Sequence, residues 1–141
     1  MTMSLETART IISATRAAAT ERGLKPLTVV VLDAGGHVLA VEREDGSSHG
    51  RFGVARGKAN GALALGIGSR ALMVRAEQQA YFVASLPAAV GGAVVPVPGG
   101  VLVRDGDLVL GAVGVSGDTS DNDEAAAIDG VLAAGLLPDA G

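Results

Sequence analysis

The chain has 141 residues, of which 48% are hydrophobic, and carries a formal net charge of −4 at pH 7. That length predicts one domain, spanning residues 1–141, with a sizeable core. With one Tyr, two Phe and no Trp, this acidic chain offers few platforms for base stacking, so no nucleic-acid partner is expected.

Cysteines and membrane signals are both missing from the sequence. Without cysteine there is no disulfide, thiolate nucleophile or zinc–sulfur site, and the composition fits a cytoplasmic protein. Runs of about 18 apolar residues do not occur, and Glu6, Arg9 and Arg16 interrupt the N-terminal stretch. Neither a membrane span nor a signal peptide is therefore predicted.

The first half of the chain predicts two helices around a pair of strands. The facing residues of the second helix, Ala55, Ala59 and Ala62, are small, so another backbone can lie close to it. The same face favours subunit contacts, and a homo-oligomer is expected. In order, the predicted elements are a helix capped by Ser4 and running to Arg22 with a stripe of Leu5, Ala8, Ile12, Thr15 and Ala19, strands over Leu27–Ala34 and His37–Arg43, and a helix over Phe52–Gly66.

The second half predicts a helix starting at Ser69, three strands and a closing helix. The strands are expected near 92–96, 100–105 and 108–115, and the last helix over Ser120–Leu136. Asp105-Gly106-Asp107 separates two β-branched runs, which predicts a hairpin with a type I′ turn. Because hairpins dominate, the fold class is α+β, with a largely antiparallel sheet covered by helices.

Lys58 is the leading candidate for a functional side chain. It lies in a helix between Gly57 and Ala59, where a long cation can reach the sheet edge. There it would bind a carboxylate or, once desolvated, act as a base. A solvated helix lysine is the alternative.

Two further segments carry candidate site residues. The Pro98-Gly99-Gly100 turn can present backbone N–H groups to an anion, or be only a tight turn. Asp123 and Glu124 can supply a proton-transfer group, whereas Asp121 fits helix capping better; Ser120 and Asp123 also have capping-box spacing. Each segment therefore has a structural and a functional interpretation.

Histidines are few, and only His49 is a candidate iron ligand or proton shuttle. It lies in a glycine-flanked loop, whereas His37 follows Gly36 and is interpreted as a surface turn residue. Two histidines without neighbouring ligand residues do not make a metal motif.

Positive charge is concentrated around the loop that precedes the second helix. Arg43, Arg51 and Arg56 lie there, and a carboxylate- or phosphate-bearing ligand would suit them. Glu42, Glu44 and Asp45 can equally neutralise these cations, so both outcomes remain open. The residues proposed to bind the ligand are Arg43, Arg51, Lys58, Pro98, Gly99, Gly100 and Ser116.

Two motifs resemble one known family. PGGVLVRDGDLVLGAVGVSG followed by DNDEAAA is similar to the signature of the GlcG/HbpS family, the haem-degrading domain family that includes the PduO C-terminal domain. Glu44-Asp45-Gly46 and Ala55-Arg56-Gly57-Lys58-Ala59 resemble that family's second motif. His49 departs from the family pattern, which is usually apolar at this point.

The resemblance implies a five-stranded, profilin-like fold, oligomerisation, and binding of haem or a related tetrapyrrole, with haem degradation as an associated activity. Its matched residues predict one pocket where the Lys58 helix meets the Pro98–Gly100 turn and the start of the last helix. Two alternatives remain: an enzyme acting on a small anionic metabolite, with Asp123, Glu124 or His49 moving a proton, and an accessory or sensor-partner protein without chemistry of its own.

Overall fold

A computed structural model describes residues 2–141, which build one antiparallel sheet with helices on both of its faces. The strand order is β2-β1-β4-β3-β5, and every neighbouring pair is antiparallel. The predicted α+β class is confirmed. In chain order the elements are α1 (Leu5–Glu21), β1 (Thr28–Asp33), β2 (Val38–Arg43), α2 (Arg51–Leu65), α3 (Ser69–Gln78), α4 (Ala80–Val90), β3 (Gly100–Asp105), β4 (Leu108–Ser116), α5 (Ser120–Ala133) and β5 (Leu137–Asp139).

The core has a layer on each side of the sheet. Along β1, Val29 and Val31 face the layer formed with α1 and α5, whereas Val30 and Leu32 face α2. Side chains alternate across a strand, so a central strand covered on both faces must be apolar throughout. This explains the uninterrupted apolar run that β1 shows in the sequence.

Helix α1 begins where the sequence predicts. The Ser4 hydroxyl accepts a hydrogen bond from the Thr7 N–H at 3.0 Å, as expected of a helix cap. The predicted apolar stripe needs one correction, since Ile11 is fully buried while Leu5 is 45% exposed.

The β3–β4 hairpin forms as predicted, but the expected type I′ turn is wrong. Gly106 has a φ of +59°, and no residue other than glycine has a positive φ in the part described. Asp107 therefore lacks the second positive φ that a type I′ turn needs. Positive φ at the first central residue alone fits the type II′ pattern.

The strand predicted near 92–96 is wrong. Pro96 and Pro98 have no N–H to donate to a ladder, and the segment instead covers α2, where the Val95 N–H donates to the Gly57 carbonyl at 3.1 Å. The fifth strand is β5, which pairs with β3 at the sheet edge. Proline is tolerated on an edge, so Pro138 can lie within it.

The single helix predicted from Ser69 is two helices. The backbone of Gln79 leaves the helical region (φ −141°, ψ 67°), which lets Leu72 of α3 meet Val83 and Leu86 of α4. Neither glycine nor proline marks this break in the sequence.

Among residues 2–141, no helix has the length and apolarity needed to cross a bilayer.

Candidate functional site

The Lys58 side chain crosses from α2 to the end of β4 and is only 1% exposed. Its Nζ donates to the Val115 carbonyl at 2.8 Å and to Asp123 Oδ2 at 3.1 Å. A Cβ on Gly99 would lie 2.9 Å from that Nζ. Because Gly99 has no side chain, the turn leaves room for the Lys58 side chain and encloses it.

Asp123 is held on both of its carboxylate oxygens. Oδ1 accepts from the Asp118 N–H at 2.9 Å, and Oδ2 faces Lys58. Burial lowers the pKa of Lys58, while the charge of Asp123 acts against that shift. The two side chains form a buried ion pair that connects α2, β4 and α5. Lys58 therefore meets a protein carboxylate, and its role toward a ligand stays a prediction.

Three segments that are distant in sequence meet at this pair. The N–H of Gly100 donates to Ser69 Oγ at 2.7 Å, and a Cβ on Gly100 would lie 2.2 Å from the Lys58 carbonyl oxygen. Pro98 is buried next to them. The sequence predicts Ser69 only as the start of a helix, because no local signal shows that its hydroxyl faces a strand 31 residues later.

The other acidic residues at the start of α5 have structural partners. Glu124 Oε2 accepts from Arg70 Nε at 3.0 Å, and Asp121 also pairs with Arg70. The helix cap is Thr119, whose hydroxyl accepts from the Asn122 N–H at 3.2 Å, and not Ser120 as the capping-box spacing predicted. A proton-transfer role for Glu124 stays a prediction.

The structure shows which charges around the β2–α2 loop pair with each other, a question that the sequence left open. Arg16 of α1 binds Glu42 at 2.6 Å and Glu44 at 3.0 Å. Neither Arg43 nor Arg51 has a carboxylate partner within residues 2–141. Arg43 donates to the Ser47 carbonyl and Arg51 to Ser116 Oγ. The acids nearest in sequence therefore do not neutralise these two arginines.

His49 is exposed and has no hydrogen bond or ion pair with the described residues. Its proposed role as iron ligand or proton shuttle stays a prediction. The part of the chain that the structure describes holds no group of three or more His, Cys, Asp or Glu arranged for a metal ion.

His37, interpreted from sequence as a surface turn residue, is exposed but has a carboxylate partner. Its Nδ1 lies 3.2 Å from Asp33 Oδ1. The same oxygen accepts the N–H groups of His37 and Gly35, which lower the pKa of Asp33. Asp33 thus stays ionised and can orient the imidazole. The spacing of Asp and His across a Gly-Gly turn was the signal available in the sequence.

A groove of about 450 Å³ adjoins this Asp–His pair. His37 and Asp33 supply its polar side, whereas Met3 and Leu108–Leu110 supply an apolar wall. A hydrophobic pocket with a few fixed polar groups is the usual form of a small-molecule site.

The protein is an antiparallel sheet covered by helices on both faces. It has a buried Lys–Asp ion pair and, at the other end of the sheet, an Asp–His pair beside a groove. The chain belongs to the family described as haem-degrading protein HbpS-like, whose model matches residues 3–132. This confirms the family resemblance seen in the sequence. A search of curated proteins found no match.

Several solved structures share the fold. Protein ORFY from Klebsiella pneumoniae is 27% identical with a TM-score of 0.84, over 96% of this chain and 92% of that one. A double mutant of HbpS from Streptomyces reticuli is 26% identical with a TM-score of 0.80, over 94% and 86%. A PduOC–haem complex has a TM-score of 0.85 over 96% and 97%, but at 21% identity it supports the fold alone.

Proposed function

We propose that this protein binds haem in the groove beside the β1–β2 turn, with His37 as the iron ligand. Membership of a haem-degrading family makes haem the first ligand to consider. The observation that carries the assignment is the Asp33–His37 pair on the edge of an apolar groove.

The residues of the groove fit the chemistry of a haem. Metal-binding histidines usually donate their other ring nitrogen to a carboxylate, which fixes the tautomer and the ring orientation. Nδ1 lies 3.2 Å from Asp33 Oδ1, and a proton on Nδ1 would leave the Nε2 lone pair for iron. Leu108, which is 52% exposed, offers apolar surface to a porphyrin, and the buried Met3 and Leu110 form the floor of the groove behind it. Bound haem would supply the redox chemistry of its iron, and this chain's residues would hold and orient it.

A haemin titration of the purified protein tests the proposal. We expect a shifted Soret band that saturates at a fixed stoichiometry, and a different band position or weaker binding in His37→Ala. His49→Ala is the matched control, because His49 is the other histidine and is also exposed. If the parent gives no Soret shift, the proposed function is wrong. If His49→Ala moves the band and His37→Ala does not, His49 is the ligand.

Haem breakdown is a separate activity and is measured on the same complex. Loss of Soret absorbance in air with a chemical reductant, compared with free haemin, distinguishes a degrading protein from one that only binds. Retention of the band would favour an accessory or sensor-partner role.

An enzyme acting on a small anionic metabolite is the second candidate. Arg51 supports it, because its guanidinium has no carboxylate partner in residues 2–141 and lies near the Lys58–Asp123 pair. The test is turnover of a small anionic substrate by the parent protein. If Arg51→Gln and Asp123→Asn both fold but lose this turnover, the result favours this candidate over haem binding.

A further inference from the structure

We propose that a small oxyanion, a carboxylate or a phosphate, binds between the β2–α2 loop and the connection from β4 to α5. A pocket of about 220 Å³ lies there. The residues that line it include two cationic ones, Lys25 and Arg51, together with Ser47, Ser48 and Gly117. This site is separate from the haem groove and does not rest on haem binding, but through Arg51 it gives the second candidate function a binding site for its anion.

The charge balance of the pocket favours an anion. Three acids come near the pocket, and none of them lines it. Glu44 binds Arg16 and the Leu27 N–H, and Asp45 is exposed. Asp118 accepts the Lys25 N–H and its charge acts on Lys25, so one nearby carboxylate faces two cations. Among residues 2–141, the one hydrogen bond of the Arg51 guanidinium goes to a neutral hydroxyl, that of Ser116. A guanidinium whose planar fork is not used by a carboxylate can bind a planar or tetrahedral oxyanion through two N–H groups.

Lys25 and Ser48 complete the donor set. The backbone N–H of Lys25 donates to Asp118 at 2.9 Å, which fixes the backbone of this exposed lysine beside the pocket that it lines. The Ser48 hydroxyl makes no hydrogen bond to the described residues. Ser47, by contrast, is anchored by a 2.9 Å hydrogen bond to Thr28 Oγ1, so the loop wall is held in place.

Helix α2 begins beside this pocket, because its first residue, Arg51, lines it. Gly50 occupies the cap position of a 15-residue helix, and no side chain caps it. The partial positive charge of a helix start favours an anion nearby. Lys25 and Arg51 carry the assignment, and the helix start supports it.

Size and position separate this site from the haem groove. A volume of about 220 Å³ suits an ion such as phosphate or a short dicarboxylate and is about half that of the groove. The anion pocket adjoins Thr28 at one end of β1, whereas the groove adjoins Asp33 at the other. Five strand steps place these ends roughly 17 Å apart.

Calorimetric titration of the full chain with inorganic phosphate and with malonate, at constant ionic strength set with sodium chloride, tests the proposal. We expect the parent to bind at least one of them, and Lys25→Gln and Arg51→Gln to weaken it about ten- to hundredfold. Arg56→Gln is the matched control, since Arg56 is an exposed cation of the same helix that does not line the pocket. It should change the affinity less than twofold.

Other variants keep the test decisive. Ser116→Ala removes the hydrogen bond of Arg51 but keeps its charge, so it should retain most of the affinity. Lys25 is exposed, and Lys25→Gln should fold even if Arg51→Gln does not. The proposal is overturned if the parent binds neither anion, or if Arg56→Gln weakens binding as much as the two pocket variants. Binding of phosphate alone or malonate alone identifies the class of oxyanion.

Discussion

Lys58 and Asp123 form an ion pair whose side chains are 2% and 1% exposed, with 3.1 Å between Nζ and Oδ2. Removing two charges from water costs several kcal/mol per ion, which only close contact and further hydrogen bonds offset. The Val115 carbonyl and the Asp118 N–H supply these hydrogen bonds. The pair therefore specifies how α2, β4 and α5 fit together.

Breaking this pair on one side should destabilise the protein strongly. We expect Asp123→Ala or Lys58→Met to lower the free energy of unfolding by about 3–5 kcal/mol, because an uncompensated charge stays buried. Urea denaturation measures this. Arg22→Met, which removes the cation of the exposed pair with Asp129, should cost about 0–1 kcal/mol. A double variant, Lys58→Met with Asp123→Ala, should be less destabilised than the sum of the two single changes. Strict additivity would contradict the coupling.

Asp118 should stabilise the folded protein, and this contribution should be lost at acid pH. Hydrogen bonds from the Lys25 N–H, the Asn122 side chain and the Thr119 N–H lower its pKa to about 2. A carboxyl whose pKa is lowered in the folded state stabilises the fold at pH values above its ordinary pKa of 3.8. This contribution is lost as the pH falls through the folded-state pKa of about 2. We therefore expect the gap in unfolding free energy between the parent and Asp118→Asn to shrink over that range. Asp107→Asn, at the exposed hairpin turn, is the control. A gap independent of pH would contradict the assignment.

The close approach of α2 to the sheet should make Gly114 irreplaceable. A Cβ there would lie 1.9 Å from the Ala55 carbonyl oxygen, which is backbone and cannot move aside. We expect Gly114→Ala to lower the unfolding free energy by about 1–3 kcal/mol or more. Gly53→Ala, on the open face of α2, meets nothing within 4 Å and should instead raise it by about 0.5–1 kcal/mol. Equal melting temperatures for the two variants would disprove this packing.

The hydroxyl of Thr15 is buried in the α1–α5 contact without a hydrogen-bond partner. Since an unsatisfied buried hydroxyl is unfavourable, we expect Thr15→Val to raise the unfolding free energy by about 1 kcal/mol. Thr10→Val, on the exposed side of α1, should change it by no more than about 0.5 kcal/mol. Destabilisation by Thr15→Val would mean that the hydroxyl has a partner in solution.

A homo-oligomer stays a prediction that rests on the family resemblance. The reason first drawn from sequence is wrong, because Ala55, Ala59 and Ala62 pack against the protein's own sheet and are fully buried. Light scattering at micromolar concentration should give a multiple of the monomer mass. A monomer mass under these conditions would contradict the prediction.

The sequence by itself determined the α+β class, most element positions and the family, because strand and helix periodicity, the Asp-Gly turn and the two motifs are local signals. The family resemblance also predicted that the Lys58 helix, the Pro98–Gly100 turn and the start of the last helix would meet. The fifth strand could not be predicted, since Leu137–Asp139 is strand only through pairing with β3.

Tertiary structure decided how the charges pair. Lys58 pairs with Asp123, which lies 65 positions later in the sequence. Arg16 pairs with Glu42 and Glu44, which lie 26 and 28 positions later. Local sequence shows which charges exist but not which are brought within hydrogen-bond distance or removed from water, and in proteins these two factors decide whether a cation is structural or free to bind a ligand.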